Sequence, residues 1–354
     1  MDKRLYDLAY EFKRSKIWNY VYEEEFFAIR LGKEKYGYCC LMGRNGEHTA
    51  LAVYLDSAGF SSLRKAVTNT STRLNDLLIQ DCVQCSLEKR DQFSAEELED
   101  VLDYCKSNGI TPRAPFPQFS RHKPYRMPWT IEKKSEIKAI ETALEVSLAL
   151  NEYLGNHTLS DVGLQPIHLE MNTEKYLDSL WHDDGEISHE PVAIPVFSVV
   201  DEKLHIDGLV SLPPFEERQM KAPEPLADDV MDEVVRSFRK GTALTLECEI
   251  MRSSSFVDGR PPYLPAILLS VDAESGMVLY PVMGHKADYD SGRMLNEFAG
   301  MLMSAGIKPV KIRVRTRETW NLLEDFCART GIKLIYSVFM KELDEAEEAF
   351  NSYF

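Results

Sequence analysis

The last third of the chain, from Pro265 to Phe354, alternates short apolar runs with longer segments of helical spacing. Two apolar runs come first, and residues 272–276 (DAESG), a polar turn that ends in glycine, join them as a hairpin. Helix, strand, helix, strand and helix follow, and strands separated in this way pair in parallel through right-handed crossovers. With the apolar run at 243–251 as a further strand, the order βββ-αβαβα predicts an α/β domain with a mixed sheet over residues 226–354.

The first 110 residues predict an α+β domain of their own. A helix over 2–18 precedes three apolar runs, and the pair Asn45-Gly46 marks a tight turn between the second run and the third. Helix, strand and helix complete the order α-βββ-αβα. The last of these helices starts at Ser94, and Glu97, three residues later, completes a capping box.

The stretch from 111 to 130 carries five prolines with four aromatic residues between them. Proline at this density ends helices and central strands, so we predict a linker here. A long helix over 132–154 opens a middle α+β region, 131–225, whose end is a second proline-rich linker. We therefore expect an α+β chain with folded parts at 1–110, 131–225 and 226–354.

The formal net charge of −16 limits the partners of this protein. Binding to nucleic acid requires neutralisation of phosphates, which shows as a basic domain or stripe. The basic runs at 121–126 and 311–317 are short, and we interpret both as solvated faces of an acidic protein. Nucleic acid and anionic membrane surfaces are therefore not expected partners, whereas a protein partner is compatible with this charge. The oligomeric state has no signature in the sequence.

Several features predict a cytoplasmic protein. The first residues lack the apolar region of a secretory signal, and no apolar window of about 18 residues predicts a membrane span. Seven cysteines, an odd number in a long chain, indicate reduced thiols. Cys82 and Cys85 have the spacing of a redox or zinc pair, but they fall inside a strand and no second pair follows. We interpret them as buried thiols.

In its element order and in Asp272, the acid that ends the first strand of the hairpin, the segment 265–354 resembles the ribonuclease H and integrase fold class. The resemblance implies a site in which several carboxylates converge on two Mg²⁺ or Mn²⁺ ions. The acid expected at the end of strand 310–314 is absent, because Arg315 stands there. Glu318, in the following helical turn, is the second candidate, although the helix dipole already accounts for an acid at that position.

Motifs in both halves of the chain carry a second resemblance. They are Tyr6-Asp7-Leu8-Ala9, Gly37-Tyr38-Cys39, Gly43 and Gly46-Glu47-His48 in the first half, and residues 272–276 in the second. In these motifs the chain resembles an uncharacterised bacterial family of two-domain proteins. The resemblance implies an N-terminal domain paired with a C-terminal domain, and it brings no function, cofactor or partner.

The densest set of possible metal ligands is at residues 181–190. His182, Asp184 and His189 are the candidate ligands of a mononuclear site. Their spacing matches no motif with a mechanism attached, so a polar turn is the competing interpretation. No other cofactor is predicted, and Mg²⁺ or Mn²⁺ enters only with a nuclease hypothesis.

Three hypotheses for function follow, and the first is favoured. It is a non-catalytic binding or interaction module whose C-terminal domain is a degenerate ribonuclease H-like scaffold. The second is a divalent-metal-dependent phosphodiesterase built on Asp272, which requires further carboxylates around that residue. The third is a small-molecule sensor with an inter-domain cleft lined by the aromatic side chains of 112–130. No serine-hydrolase, P-loop, Rossmann or zincin motif is present.

Overall fold

A computed structural model gives the structure of the chain. It describes residues 3–46, 48–68, 79–167, 192–213, 222–238, 244–253, 255–279, 281–284 and 290–353. The chain forms two compact units. The N-terminal unit consists of Met1–Pro124 and Pro128–Glu217, and the C-terminal unit of Tyr125–Met127 and Arg218–Phe354.

The N-terminal unit contains an eight-stranded sheet in the described residues, with the strand order β6-β5-β4-β3-β2-β1-β7-β8. Neighbouring strands are antiparallel except β1 and β7, which are parallel. The strands are β1 (Phe27–Arg30), β2 (Tyr36–Met42), β3 (Ala50–Tyr54), β4 (Cys82–Glu88), β5 (Phe116–His122), β6 (Trp129–Thr130), β7 (Ala193–Val200) and β8 (Lys203–Ser211).

Helices cover both faces of this sheet, because its central strands are apolar on both sides. Helices α1 (Lys3–Ser15), α3 (Ala95–Ser107) and α4 (Lys134–Leu154) contribute to a core that takes Cys39 and Leu41 from β2. Helix α2 (Ser57–Thr68) contributes to the core on the other face, which takes Tyr38 and Cys40. The alternation within β2 follows the two-residue period of a strand. The predicted order α-βββ-αβα is confirmed, and so is the capping box, in which Ser94 and Glu97 exchange hydrogen bonds.

The linker predicted over 111–130 is wrong in its middle, because β5 occupies Phe116–His122 and pairs with β4 along its whole length. Its Pro117 is tolerated because only the two-residue β6 pairs with the other side of β5, opposite Ser120 and Arg121. The alternation that indicates a strand was hidden by the prolines around it. The middle region predicted at 131–225 is also not separate, since α4 packs on the first sheet and β7 and β8 extend it.

The C-terminal unit contains a five-stranded mixed sheet in the order β11-β10-β9-β12-β13. Strand β10 is antiparallel to both of its neighbours, β9 and β11, whereas β12 is parallel to both β9 and β13. The predicted order βββ-αβαβα is confirmed. The elements are α5 (Asp228–Ser237), β9 (Thr245–Arg252), β10 (Ala266–Asp272), β11 (Val282–Met283), α6 (Ser291–Ala305), β12 (Lys311–Val314), α7 (Arg317–Thr330), β13 (Lys333–Tyr336) and α8 (Lys341–Tyr353).

The two faces of this second sheet are covered by different helices, and the side chains of β9 alternate between the two cores. Leu246, Cys248 and Ile250 belong to the larger core, which α5, α6 and α7 cover. The opposite face packs on α8 through a smaller apolar cluster that includes Met251 and Leu343.

Within the described part of the chain, no helix is both long and apolar enough to cross a membrane.

Candidate functional site

Asp272 is the last residue of β10, and it holds the turn that follows the strand. Its carboxylate accepts hydrogen bonds from the Ser275 hydroxyl and from the backbone N–H of Glu274, and its carbonyl oxygen accepts one from the N–H of Gly276. Gly276 has φ +68°, a left-handed conformation that glycine adopts without steric cost. The sequence predicts a hairpin turn at 272–276, and these hydrogen bonds show that Asp272 stabilises that turn.

Glu318, the second candidate, lies at the other end of the sheet. Asp272 is opposite Leu246 at the start of β9, whereas Glu318 is 3.9 Å from the guanidinium of Arg252 at the end of β9. The neighbour of Glu318, Thr319, accepts a hydrogen bond from the backbone N–H of Ile250, four positions along β9 from Leu246. A strand rises about 3.3 Å per residue, so α7 begins roughly 13 Å along β9 from the position that Asp272 faces.

The three predicted ligands of a mononuclear site, His182, Asp184 and His189, lie outside the described residues. Among the residues that are described, no group of three or more His, Cys, Asp or Glu side chains is arranged to hold a metal ion.

An arginine-centred cluster on the α8 face is the main polar feature of the C-terminal unit. Arg315 directly follows β12, and its guanidinium donates from Nε to Glu249, from Nη1 to Asp344 and from Nη2 to Glu347. The Nη1–Oδ1 distance is 2.5 Å and the Nη2–Oε2 distance is 3.2 Å. Three carboxylates from β9 and α8 therefore meet at one cation.

The cluster is largely removed from water. The side chains of Glu249, Arg315 and Glu347 are 7%, 14% and 11% exposed, while that of Asp344 is 47% exposed. Burial alone lowers the pKa of the Arg315 guanidinium, but Glu249 and Asp344 outweigh this effect and hold the pKa above its ordinary value. The guanidinium is thus a permanent cation, and it fills the space between the three acids.

A second ion pair on the same face connects the sheet to the start of α8. Glu247 is 2% exposed, and its Oε1 accepts a hydrogen bond from Arg313 Nη1 at 3.2 Å. Its Oε2 accepts one from the backbone N–H of Leu343 at 3.1 Å. The interpretation of the basic run 311–317 as a solvated face is therefore wrong for Arg315, which is 14% exposed, while Arg313 is 35% exposed and also pairs with a buried acid.

Sequence reasoning missed this cluster, although a signal for it exists. Glu247 and Glu249 are two residues apart in one strand, and Arg313 and Arg315 are two residues apart along a parallel neighbour. Acids and bases with the same two-residue period fall on one face of a sheet. Only the register, in which Arg313 is opposite Glu247, makes them partners.

The N-terminal unit contains a buried arginine of similar character. Arg121, 4% exposed, donates to Asp81 and Glu136 and to the carbonyl oxygen of Cys82. The basic run 121–126 thus begins with a buried residue rather than a solvated one. Burial, together with the nearby His48 and Arg121, lowers the pKa of the adjacent His122 to about 4.

The two cysteines of the C-x-x-C sequence lie on opposite faces of β4. Cys82 belongs to the core of α2, and Cys85 belongs to the core of α1, α3 and α4. Burial raises the pKa of the Cys82 thiol to about 12, and it also raises that of Cys85. All seven cysteines of the chain are buried and free, as the interpretation of buried thiols expects.

Two of the aromatic residues proposed to line a ligand cleft are unavailable. Phe116 and Phe119 are 4% and 3% exposed and belong to the core of the N-terminal unit. A third aromatic residue of this stretch, Tyr125, already has a partner in the C-terminal unit, because its ring centroid lies 3.9 Å from the guanidinium carbon of Arg252.

Comparison with known proteins places two domains of unknown function on the chain. Residues 3–163 match the model of one, DUF7309, and residues 233–351 match that of another, DUF6930. No curated protein matches the chain. Among solved structures, the chain is similar to the HTLV-2 integrase catalytic core domain in complex with magnesium (dimeric form). The identity is 17% and the TM-score 0.23, over 32% of this chain and 71% of that one.

Proposed function

We propose that this protein is a non-catalytic binding or interaction module. The observation that carries the proposal is the Arg315 guanidinium, which donates to Glu249, Asp344 and Glu347 at once. Carboxylates that converge on one point are the ligands of a divalent-metal phosphodiesterase. Here they converge on an internal cation, and their oxygen atoms point at its N–H groups.

The same cluster argues for a scaffold in which α8 is held in place. Buried carboxylates are costly unless they are paired and hydrogen-bonded, and Arg315 supplies both conditions for Glu249 and Glu347. A guanidinium donates hydrogen bonds but keeps its charge at all physiological pH values, so it neither accepts nor releases a proton. The carboxylate oxygens that accept from Arg315 are engaged by a fixed cation, which supports a structural use of the cluster rather than acid–base chemistry.

We further propose that the partner is a protein and that the module works in the cytoplasm. The net charge of −16 opposes binding to phosphate backbones. Seven free cysteines, all buried, suit a reducing compartment, where disulfides are rare.

The proposal is tested by titrating Mn²⁺ and Mg²⁺ into the full chain by calorimetry, beside hydrolysis assays on DNA and RNA. Wild type, Asp272→Ala and Glu274→Ala are compared, because Glu274 is an exposed acid in the same turn and serves as the matched control. We expect no saturable binding and no hydrolysis in any of them. Saturable binding that Asp272→Ala loses and Glu274→Ala keeps, together with metal-dependent cleavage, would overturn the proposal in favour of a phosphodiesterase.

Fluorescence anisotropy with labelled single- and double-stranded oligonucleotides tests the choice of partner. The expected result is no binding by the full chain at physiological salt. Binding that weakens with rising salt would replace the protein partner with a nucleic acid.

A further inference from the structure

The edge strand β8 differs from the other sheet edges of the described chain. Strands β6 and β11 have two residues each and β13 has four, whereas β8 has nine, with a bulge at Asp207 where the register against β7 shifts between Val196 and Phe197. Short edge strands avoid unwanted pairing, while a long exposed edge presents a row of N–H and C=O groups to a further strand. Strand β8 has only β7 as a neighbour among the described strands.

The side chains of β8 are also unusually exposed for an edge that includes apolar residues. Ile206 is 45% exposed and Leu209 is 69% exposed. Leu204, two residues before Ile206, packs at the margin of the N-terminal core. Leu204 and Ile206 therefore lie on the same face of the strand, and the core covers only the first of them.

The charged residues of β8 lie on its other face. His205 Nδ1 is 2.9 Å from Asp207 Oδ1, so these two side chains are on one side, and Lys203 is two residues before His205. Lys203 and Asp207 are thus each two positions from His205 along the strand, on opposite sides of it, and they carry opposite charges.

We propose that β8 pairs with β8 of a second copy of this chain, antiparallel and with His205 on the twofold axis. In that register Lys203 of each copy lies across from the bulged Asp207 of the other, which brings opposite charges together twice. Leu204 of each copy lies opposite Ile206 of the other, so each exposed Ile206 gains an apolar neighbour. The contact is isologous, as a twofold dimer requires.

Sedimentation velocity of the full chain at increasing concentration measures the association. We expect a shift from monomer to dimer in the micromolar range, since one strand pair is a small interface. Lys203→Glu places Glu opposite Asp207 in both halves of the interface and should weaken association at least about tenfold. Asp207→Lys should weaken it similarly, because Lys then faces Lys203.

The double variant Lys203→Glu/Asp207→Lys restores opposite charges across the axis, and association should return to near the wild-type value. Lys33→Glu, the same charge change at an exposed turn of the same unit, is the matched control and should associate like wild type. Circular dichroism and thermal melting establish that each variant is folded. A monomer at every concentration, a dimer that Lys203→Glu does not weaken, or a double variant that stays weak would each overturn the proposal.

Discussion

Glu247 connects the C-terminal sheet to its last helix through Leu343, whose backbone N–H donates to Glu247 Oε2 at 3.1 Å. Leu343 lies in the first turn of α8, where N–H groups have no partner within the helix. A carboxylate at that end of a helix also interacts favourably with the helix dipole. Because Arg313 holds the other oxygen, Glu247 is fixed at the point where α8 begins on the sheet.

Replacement of Glu247 by Ala should lower the free energy of unfolding of the C-terminal unit by about 3 kcal/mol. The change leaves the Leu343 N–H and the Arg313 guanidinium without their acceptor. Urea denaturation followed by the fluorescence of Trp320, which lies in α7, measures the effect. Glu274→Ala, an exposed acid of the same unit, should change it by no more than about 0.5 kcal/mol. Equal effects of the two variants would contradict this role of Glu247.

Removal of the Arg315 guanidinium should leave Glu249 and Glu347 buried without a counter-charge. We expect Arg315→Ala to destabilise the C-terminal unit by about 3 kcal/mol, with little contribution from the half-exposed Asp344. Arg315→Lys should be intermediate, since a single ammonium group cannot reach three carboxylates in the geometry of a guanidinium. Chemical denaturation of the three proteins under one set of conditions gives the order.

The same variant tests whether Arg315 stands where a divalent cation could bind. Without the guanidinium, three carboxylates face one space, and hard divalent cations prefer oxygen ligands. Mn²⁺ should therefore raise the melting temperature of Arg315→Ala and leave that of wild type unchanged. Equal shifts in both proteins would show that the cluster is not the place where the ion acts.

In the N-terminal unit, Arg121→Met should lower the free energy of unfolding by about 3 kcal/mol, because Asp81 and Glu136 lose their buried counter-charge. Among the described residues, Glu136 then keeps only the exposed Lys133, 3.9 Å away. The double variant Arg121→Met/Glu136→Leu should recover much of the loss, since apolar side chains of similar size often replace a buried ion pair at little cost. A double-mutant cycle on urea denaturation measures the coupling. Additive losses would mean that the two side chains do not depend on each other.

His122 should make the N-terminal unit sensitive to acid. Its pKa is lowered in the folded state to about 4, below the ordinary value of 6.5. The folded state thus binds the His122 proton less well than the unfolded state does. The contribution of neutral His122 to the free energy of unfolding is therefore fully present above pH 6.5, and it is lost as the pH falls towards 4. We expect His122→Gln to remove up to about 3 kcal/mol of this dependence, measured by denaturation between pH 4 and 7. A slope unchanged in the variant would contradict the assignment.

Glu25 should act in the opposite direction. Burial, with the neighbouring Glu24, raises the pKa of its carboxyl group to about 7, from 4.5. The folded state favours the protonated form, so its contribution is complete below pH 4.5 and is lost as the pH rises through 7. Glu25→Gln keeps an acceptor for the N–H of Tyr22 and should stabilise the unit by about 1–2 kcal/mol at pH 8, with a smaller gain at pH 5. Denaturation at the two pH values decides, and an equal gain at both would rule out titration of Glu25.

The elements that the sequence predicted well are those with local signals. The capping box at Ser94, the turn at 272–276 and the period of α4 each depend on residues within a few positions of one another. β5 was missed because Pro117 lies inside it, and a proline argues against a strand unless that side of the strand lacks a full-length neighbour. Whether β5 has such a neighbour depends on the order of strands in the sheet, which no local signal contains.

Asp272 was chosen as a site candidate for its position at the end of a strand, and such a position also suits a turn. The sequence could not separate these meanings, because the difference is the distance to other acids. The sheet register places Asp272 opposite Leu246 at the start of β9, whereas Glu318 contacts the side chain of Arg252, which ends that strand. A catalytic carboxylate needs neighbours in space, whereas a turn residue needs only its own hydrogen bonds.

By itself, the sequence determined the α+β class, the order of helices and strands and the absence of an acid at position 315, because periodicity, caps and turns act between neighbours in the chain. Only the tertiary structure decided what Arg315 does there. Its three carboxylate partners are 66, 29 and 32 residues away. The strand register and the packing of α8 bring these carboxylates within hydrogen-bonding distance of one guanidinium. Because the cluster is largely buried, Arg315 serves as the internal counter-charge of the three acids.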